Sequence, residues 1–359
     1  MTRIKIVLSV ILIIFITSGH GRNLQRRDTS DTTNTEGAPE TCFITCSGIN
    51  DKIRLFDRTE YVYKYVATTG IELSSVAIDT PMPTKIEATV VVKKLYRCDY
   101  EMKITRTRST GFGQRQDATL QSVMEGSSAI FSWDDGQLSS TICVIQPNAS
   151  SSAVSRTFVE NIQRGLISKL QNSAIGTGST IPTVEVDVSG ECPTMYKLIT
   201  TDGAAVANYS TSVTFEKKKD LTSCKHRGAT ISSIRGLPYQ SSSRIQSIPA
   251  MSSDQICSQT VKDRIVQDII CDEVHLLRPF SNGESGLRAT SHEELHFIEQ
   301  RLTGYRSQDH VRLSPKSIYF DYTAVNRYNS ERASQVVFNI LDDACRHEQT
   351  VVIDLNLIR

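Results

Sequence analysis

The residues best equipped for chemistry are His292-Glu293-Glu294-Leu295-His296, which fit H-E-x-x-H. On a helix, two histidines at i and i+4 share a face and can bind zinc. The glutamate between them can then activate a water for hydrolysis. Such a centre needs a third protein ligand. The extended motif wants a glycine and a histidine downstream, but those positions hold Glu299 and Leu302. Another class of zinc peptidase takes a glutamate roughly twenty residues beyond the second histidine, where Lys316 stands. Asp321 and Glu331 are the acidic residues left for the role. A solvated face carrying two chance histidines outweighs a zinc peptidase on this sequence. No G-x-S-x-G, P-loop or dinucleotide fingerprint occurs. The expectation is a protein that is not an enzyme and holds no metal or cofactor.

The chain has 359 residues and a net charge of +1, which gives no basis for a nucleic-acid partner. Arg3 and Lys5 precede an apolar run from Ile6 to Ile16, followed by Thr17-Ser18-Gly19. That pattern is a secretory signal peptide, assigned to 1–21. A signal anchor is the weaker alternative, because the run falls short of the roughly 20 apolar residues of a spanning helix. Residues 22–41 offer nothing to bury and read as a disordered leader. The product is therefore expected outside the cell. Its nine cysteines belong to an oxidising compartment, and an odd count leaves at least one thiol free or paired with another chain. Cys42 and Cys46 have no second knuckle of Cys or His, which argues against structural zinc. The sequons at Asn148 and Asn208 are candidate glycosylation sites.

Most of the segment 54–281 has strand character. Tyr61, Tyr63 and Tyr65 share one face. Ile86 to Val92 turns continuously apolar, as a strand buried on both faces would. Ile130–Trp133, Asp134-Asp135-Gly136 and Leu138–Ile145 read as a hairpin. Further strands are expected at Tyr100–Thr105, Met195–Ile199, Ser212–Phe215, Arg244–Ile248 and Ile265–Leu277. Val184, Val186 and Val188 alternate with Glu185, Asp187 and Ser189, the pattern of a strand with one wet face. It is expected to stop near Cys192-Pro193. One stretch, Ser155–Ser173, has helical period instead. Phe158, Ile162, Leu166 and Leu170 recur every four residues, and Ser155 is placed to cap it. Its stripe is expected to plug a concave sheet; a lipid-binding amphipathic helix is the sharper alternative. Ser291–Leu302 is expected as a short helix or an extended arm. Ser330–Cys345 is expected as an amphipathic helix, with another apolar run at Thr350–Ile358, so the end looks like the first element of a further helical domain. Lys217-Lys218-Lys219 and Arg106 with Arg108 form local basic clusters, read as solvated surface by default and as partner-facing otherwise.

Five stretches in order carry a resemblance. Val184-Glu185-Val186-Asp187-Val188-Ser189-Gly190-Glu191-Cys192-Pro193-Thr194-Met195-Tyr196 closely resembles a "D-x-x-G-x-C-x-T-x-Y" run of the large lipid transfer protein family, comprising vitellogenins, apolipophorins, apolipoprotein B and the microsomal triglyceride transfer protein. Lys217 to Arg227 resembles the following "K-x-x-x-L-x-x-C-x-x-R" run. Phe56 to Tyr65 and Arg97 to Met102 are similar to two family strands. Asn161 to Gln171 is similar to the "N-x-K-R-G-I-x-S-x-L-Q" helix, with Gln163 where lysine is usual. Cys271 to Ala289 is most similar to the apolipophorin branch.

The resemblance implies a mainly β chain with α: an antiparallel β-barrel around a central helix, followed by the start of an α-helical domain. It places the barrel at 42–290 and the linker with the beginning of a truncated helical domain at 291–359. It implies disulfides Cys192–Cys224, Cys257–Cys271 and Cys46–Cys98, and leaves Cys42, Cys143 and Cys345 unassigned. The implied function is secreted lipid transport, with phospholipid or neutral lipid as partner, carried with a missing C-terminal part. A cell-surface receptor or partner subunit would be the second partner. The alternatives are a lipid-free receptor- or partner-binding module and a secreted zinc peptidase using His292, Glu293 and His296.

Overall fold

Alternation at period two builds nearly all of this protein. The computed structural model describes residues 52, 55–73, 83–134, 136–145, 153–175, 180–201, 212–225, 251–277, 287–303 and 315–321. Five strands come first: β1 (Thr59–Leu73), β2 (Thr84–Tyr96), β3 (Asp99–Thr110), β4 (Ser128–Asp134) and β5 (Gln137–Ile145), with helix α1 (Gln114–Met124) after β3. Helix α2 (Ala153–Leu170) follows. Five more strands are β6 (Ile181–Asp187), β7 (Gly190–Thr201), β8 (Val213–Asp220), β9 (Met251–Lys262) and β10 (Ile265–Leu277). The last described strands are β11 (Leu287–Leu302) and β12 (Pro315–Ser317).

All twelve pair antiparallel in one sheet, in the order β12-β5-β4-β3-β2-β1-β11-β10-β9-β8-β7-β6. The sheet is thus two five-stranded meanders. Strand β11 lies between β1 and β10 and joins them on one side. On the other side the ladder does not close. There Ile318 N donates to Ser140 O and Phe320 N donates to Val188 O, so the strap after β12 spans from β5 to the turn after β6. The expected barrel is a curled antiparallel sheet whose two edges are bridged by this strap.

The core lies between the concave face and α2. Tyr61, Tyr63 and Tyr65 all point inward and are buried. Tyr100 and Phe131 stack beside them and Trp133 meets both edge-on, at centroid distances of 5.6–5.8 Å. Val159, Leu166, Ile167 and Leu170 of α2 are fully buried. Each such side chain contributes about 1.5–3 kcal/mol, so the four together contribute on the order of 6–12 kcal/mol. The hairpin between β4 and β5 turns through Gly136 at φ 79°, and a Cβ there would collide with Asn172 O at the end of α2. Only glycine lets that turn sit under the helix.

Several expectations need correction. β2 buries one face, not two: Ile86, Ala88, Val90 and Val92 are buried, while Glu87, Thr89 and Val91 are not. The helix in the sheet is not alone, because α1 packs Leu120, Val123 and Met124 inward, and Phe112 just before it meets Phe158 of α2 edge-on at 6.2 Å. α2 begins before Ser155, which sits inside its first turn and is not its cap. Cys192 and Pro193 do not end a strand but lie near the start of β7. The β7–β8 ladder starts at Thr194, so the missing N–H of Pro193 leaves that ladder whole. Of the two forms expected for Ser291–Leu302, the extended one holds: it is part of a 16-residue strand and not a short helix. The strand expected at Arg244–Ile248, the terminal helices and the signal peptide lie outside the described residues.

Candidate functional site

The interior holds charge as well as apolar groups. In β6 the acidic residues face in: Glu185 and Asp187 are buried, and Val184 is 59% exposed. On the opposite side Val184 faces solvent, while Val186 is half-buried against the core. Opposite the two acids, β8 turns Lys217 and Lys219 inward on the face that carries Val213 and Phe215, and both lysines are buried. A solvated cluster at Lys217-Lys218-Lys219 is therefore wrong for two of the three; Arg106 and Arg108 are exposed, as a surface cluster would be.

The four charges form one network. Glu185 Oε2 lies 2.7 Å from Lys217 Nζ and 3.0 Å from Lys219 Nζ, and Lys219 also pairs with Asp187. Tyr196 OH donates to Glu185 Oε1 at 2.5 Å, and Ser173 Oγ donates to the same atom at 3.0 Å. Lys217 Nζ donates to Gln171 O at 3.0 Å. The network fastens the end of α2 to β6, β7 and β8. Burial alone would raise the Glu185 carboxyl, but Lys217, Lys219 and Tyr196 hold it down at about 2. Lys217 moves the other way, to about 8, because burial and the neighbouring Lys219 outweigh its carboxylate. Lys219 is raised, since Asp187 and Glu185 together overcome burial.

A second set of α2 residues holds the strap. Arg164 is 2% exposed and donates through Nε to Ser317 O at 3.0 Å and through Nη1 to Asn161 Oδ1 at 2.9 Å. Asn161 bonds both backbone groups of Asp321, at 3.0 and 3.1 Å. Lys316 Nζ grips Glu160 at 2.6 and 2.7 Å. Thus the helix motif around Asn161 and Arg164 bridges the open side of the sheet.

The H-E-x-x-H residues occupy β11. Alternation on a strand puts His292, Glu294 and His296 outward and Glu293 inward. Glu293 accepts from Tyr65 OH and from Lys169 Nζ, each at 2.8 Å. The glutamate therefore lies across the sheet from both histidines, and the zinc reading is withdrawn. Among the described residues no cluster of His, Cys, Asp or Glu is arranged to hold a metal. Another array, Ser253 Oγ to His275 Nδ1 at 2.8 Å and His275 Nε2 to Glu273 at 2.6 Å, lies on the inner face. Ser253 is fully buried and has no open side for a substrate.

Two disulfides staple the second meander. Cys192 bonds Cys224, beside a two-way backbone bridge between Glu191 and Lys225. Cys257 bonds Cys271 directly across β9 and β10. Cys98 and Cys143 are also disulfide-bonded. Cys42, Cys46, Cys345, Asn148 and Asn208 lie outside the described residues. The buried ion network and the strap were not anticipated from the sequence.

The sequence profile of the vitellogenin N-terminal domain matches residues 56–304, from the start of β1 to the end of β11. The chain belongs to the vitellogenin N-terminal domain family. It is 24% identical to the apolipophorins of Manduca sexta over 254 residues, which is 71% of this chain and 7% of that protein. It is 24% identical to a vitellogenin of Penaeus merguiensis over 249 residues, 68% of this chain and 8% of that one. The chain thus spans under a tenth of these relatives' length. Its fold is similar to a lipovitellin structure solved for lipid–protein interactions, with TM-score 0.58 and 16% identity over 77% of this chain and 29% of lipovitellin. The strands and the α2 motif that carried the resemblance all fall inside the matched domain.

Proposed function

We propose that this chain is the N-terminal module of a secreted lipid carrier, whose lipid is held by parts of the protein beyond it. The observation that carries the reading is the filled interior of a vitellogenin N-terminal domain. α2 and the ion network occupy the concave face, with Val159, Gln163, Ile167 and Gln171 all buried. Lipid binding by apolar burial therefore falls to other regions. The module's share is to fold around α2, hold the strap in place and present its outer face. We assign 1–21 as signal peptide and 22–41 as leader, and we propose that the barrel expected at 42–290 continues through the strap, with the linker and the start of a helical domain after it. β11 and β12 extend the sheet past 290, so the barrel unit runs on through the strap. Asn148 and Asn208 are proposed as glycan acceptors, and Cys46 as the partner of Cys98.

The test is flotation of the product secreted by cells expressing its full reading frame. Phospholipid or neutral lipid is expected to float with it, while the 359-residue chain alone sediments lipid-free. A full-length product that never carries lipid would overturn the reading. A second reading, a lipid-free partner-binding module, draws on the outer face. Val184, Met195, Ile199, Ile256, Ile270 and Ile298 are 38–59% exposed there. Receptor capture by lipid-free protein would favour it.

A further inference from the structure

The outer face of β10 and β11 carries five titratable groups in one hydrogen-bonded row. His292 Nδ1 lies 2.7 Å from Asp272 Oδ1, and its Nε2 lies 3.1 Å from Glu294 Oε1. His296 Nδ1 lies 2.8 Å from Asp268 Oδ1, and its Nε2 lies 3.2 Å from Glu294 Oε2. Glu294 is thus shared, one oxygen to each ring. Carboxylates only accept hydrogen bonds, and a neutral imidazole donates from one nitrogen only. With neutral rings, two of the four contacts would set lone pair against lone pair. All four close only when both rings are protonated.

The position of this row gives it a role. The β10–β11 ladder runs from Leu277↔Leu287 to Asp268↔His296, and beyond that pair β11 continues its pairing with β1, the one ladder left to it among the described strands. The row therefore lies over the last pairs of the ladder, where strands fray. β11 is also the strand that joins the two meanders. We propose that Asp272, His292, Glu294, His296 and Asp268 form a proton-operated lock on the fraying end of this seam, closed when both imidazoles are charged and open when they are neutral.

The surroundings set its midpoint. β1 presents Lys64 opposite His296 and Thr68 opposite His292. β9 faces the row with Thr260 and Ile256, and β2 lies beyond β1 with Lys85 and Glu87. Burial opposes protonation of both rings, but the carboxylates prevail. Both histidines are raised, first by hydrogen bonds to Asp272 and Asp268 and then by those to Glu294. The lock is therefore fully closed below the ordinary imidazole range and is lost as pH rises through the raised midpoints.

The experiment is histidine side-chain NMR titration with amide-exchange protection factors, on the whole chain and on Glu294→Gln. Both histidines are expected to titrate above a free imidazole at about 6.5, and both to fall in Glu294→Gln. Protection at 268–270 and 294–296 is expected to drop roughly 1.5- to fivefold per ring as pH crosses the midpoints, the range for exposed ion pairs. Glu294→Gln should flatten that dependence. Asp268→Asn should lower His296 and leave His292 in place; Trp133 emission reports that each variant is folded. Midpoints at or below a free imidazole, or protection that does not change with pH, would overturn the lock.

Discussion

Replacing Lys217 by methionine tests the interior directly. Methionine keeps the length and apolar stem of lysine and removes its charge. In the native network two cations, Lys217 and Lys219, face two carboxylates, Glu185 and Asp187, and all four are buried. Lys217→Met leaves one uncompensated negative charge inside and removes the shortest of the three hydrogen bonds to Gln171 O, those from Gln259 Nε2 and Tyr196 OH remaining. Breaking one partner out of a buried pair costs about 3–5 kcal/mol. For a domain of this size each kcal/mol lowers Tm by about 2–4 °C, so a fall of roughly 6–20 °C is expected. The assay is denaturant unfolding followed by emission of Trp133, the single tryptophan, packed at 5.6 Å from Tyr100 and 5.8 Å from Phe131. The double variant Lys217→Met/Glu185→Gln restores neutrality with Lys219 and Asp187 still paired. It should be more stable than Lys217→Met alone by about 1–3 kcal/mol, within the coupling range for contacting residues. Acid adds a second reading. The Glu185 carboxyl is lowered from an ordinary 4.5 to about 2. Its contribution is fully present above about pH 4.5 and is lost as pH falls towards 2, roughly 3 kcal/mol in all. Glu185→Gln should remove that loss. A Lys217→Met variant within about 1 kcal/mol of the parent, or a double variant less stable than the sum of the singles, would refute the network's role.

Arg164→Met should release the strap while leaving the core folded: amide exchange at 315–321 should rise about tenfold, in line with the roughly 1.5 kcal/mol of a lost hydrogen bond to a charged group, with Trp133 emission unchanged. Gln163 is fully buried and its side-chain amide has no hydrogen-bond partner among the described residues. Gln163→Leu should therefore raise stability by about 1–3 kcal/mol, the desolvation cost it relieves, and a lower Tm would show that the amide is satisfied. Gly165 sits inside α2, and a Cβ there would meet nothing within 4 Å. Gly165→Ala should stabilise by about 0.5–1 kcal/mol through helix propensity, read as a shift in the denaturant midpoint.

What was legible in the sequence was whatever periodicity alone determines. α2 showed as a stripe because its apolar residues recur every four positions, and the β4–β5 hairpin showed because Gly136 breaks two apolar runs. α1 was missed because only Leu120, Val123 and Met124 of its eleven residues turn inward, too few to make a stripe. The H-E-x-x-H segment stayed open between a short helix and an extended arm because a five-residue motif fits strand or helix equally. Its context decided the matter: Leu295 and Phe297 continue an inward row with Glu293, at period two.

The buried charges fail on the same point and show why composition cannot replace alternation. Val213, Phe215, Lys217, Lys219 and Leu221 are a single period-two set, and Glu185 and Asp187 are another. Lysine is seldom fully buried, so a run of three reads as surface unless each has an anion waiting. The anions come from a strand separated from β8 by β7, and no local window contains both. Only the pairing of β6 with β7 and β7 with β8 brings the two sets across from one another. Cys192–Cys224 then fixes that same hairpin at its mouth. A buried network of opposite charges penalises any register that slips by one residue, since a slip would turn Lys217 and Lys219 out, bring in only Lys218 and leave two acids facing one lysine. The ions thus specify the register of the second meander, and α2 is held where that register places Tyr196 and Lys217.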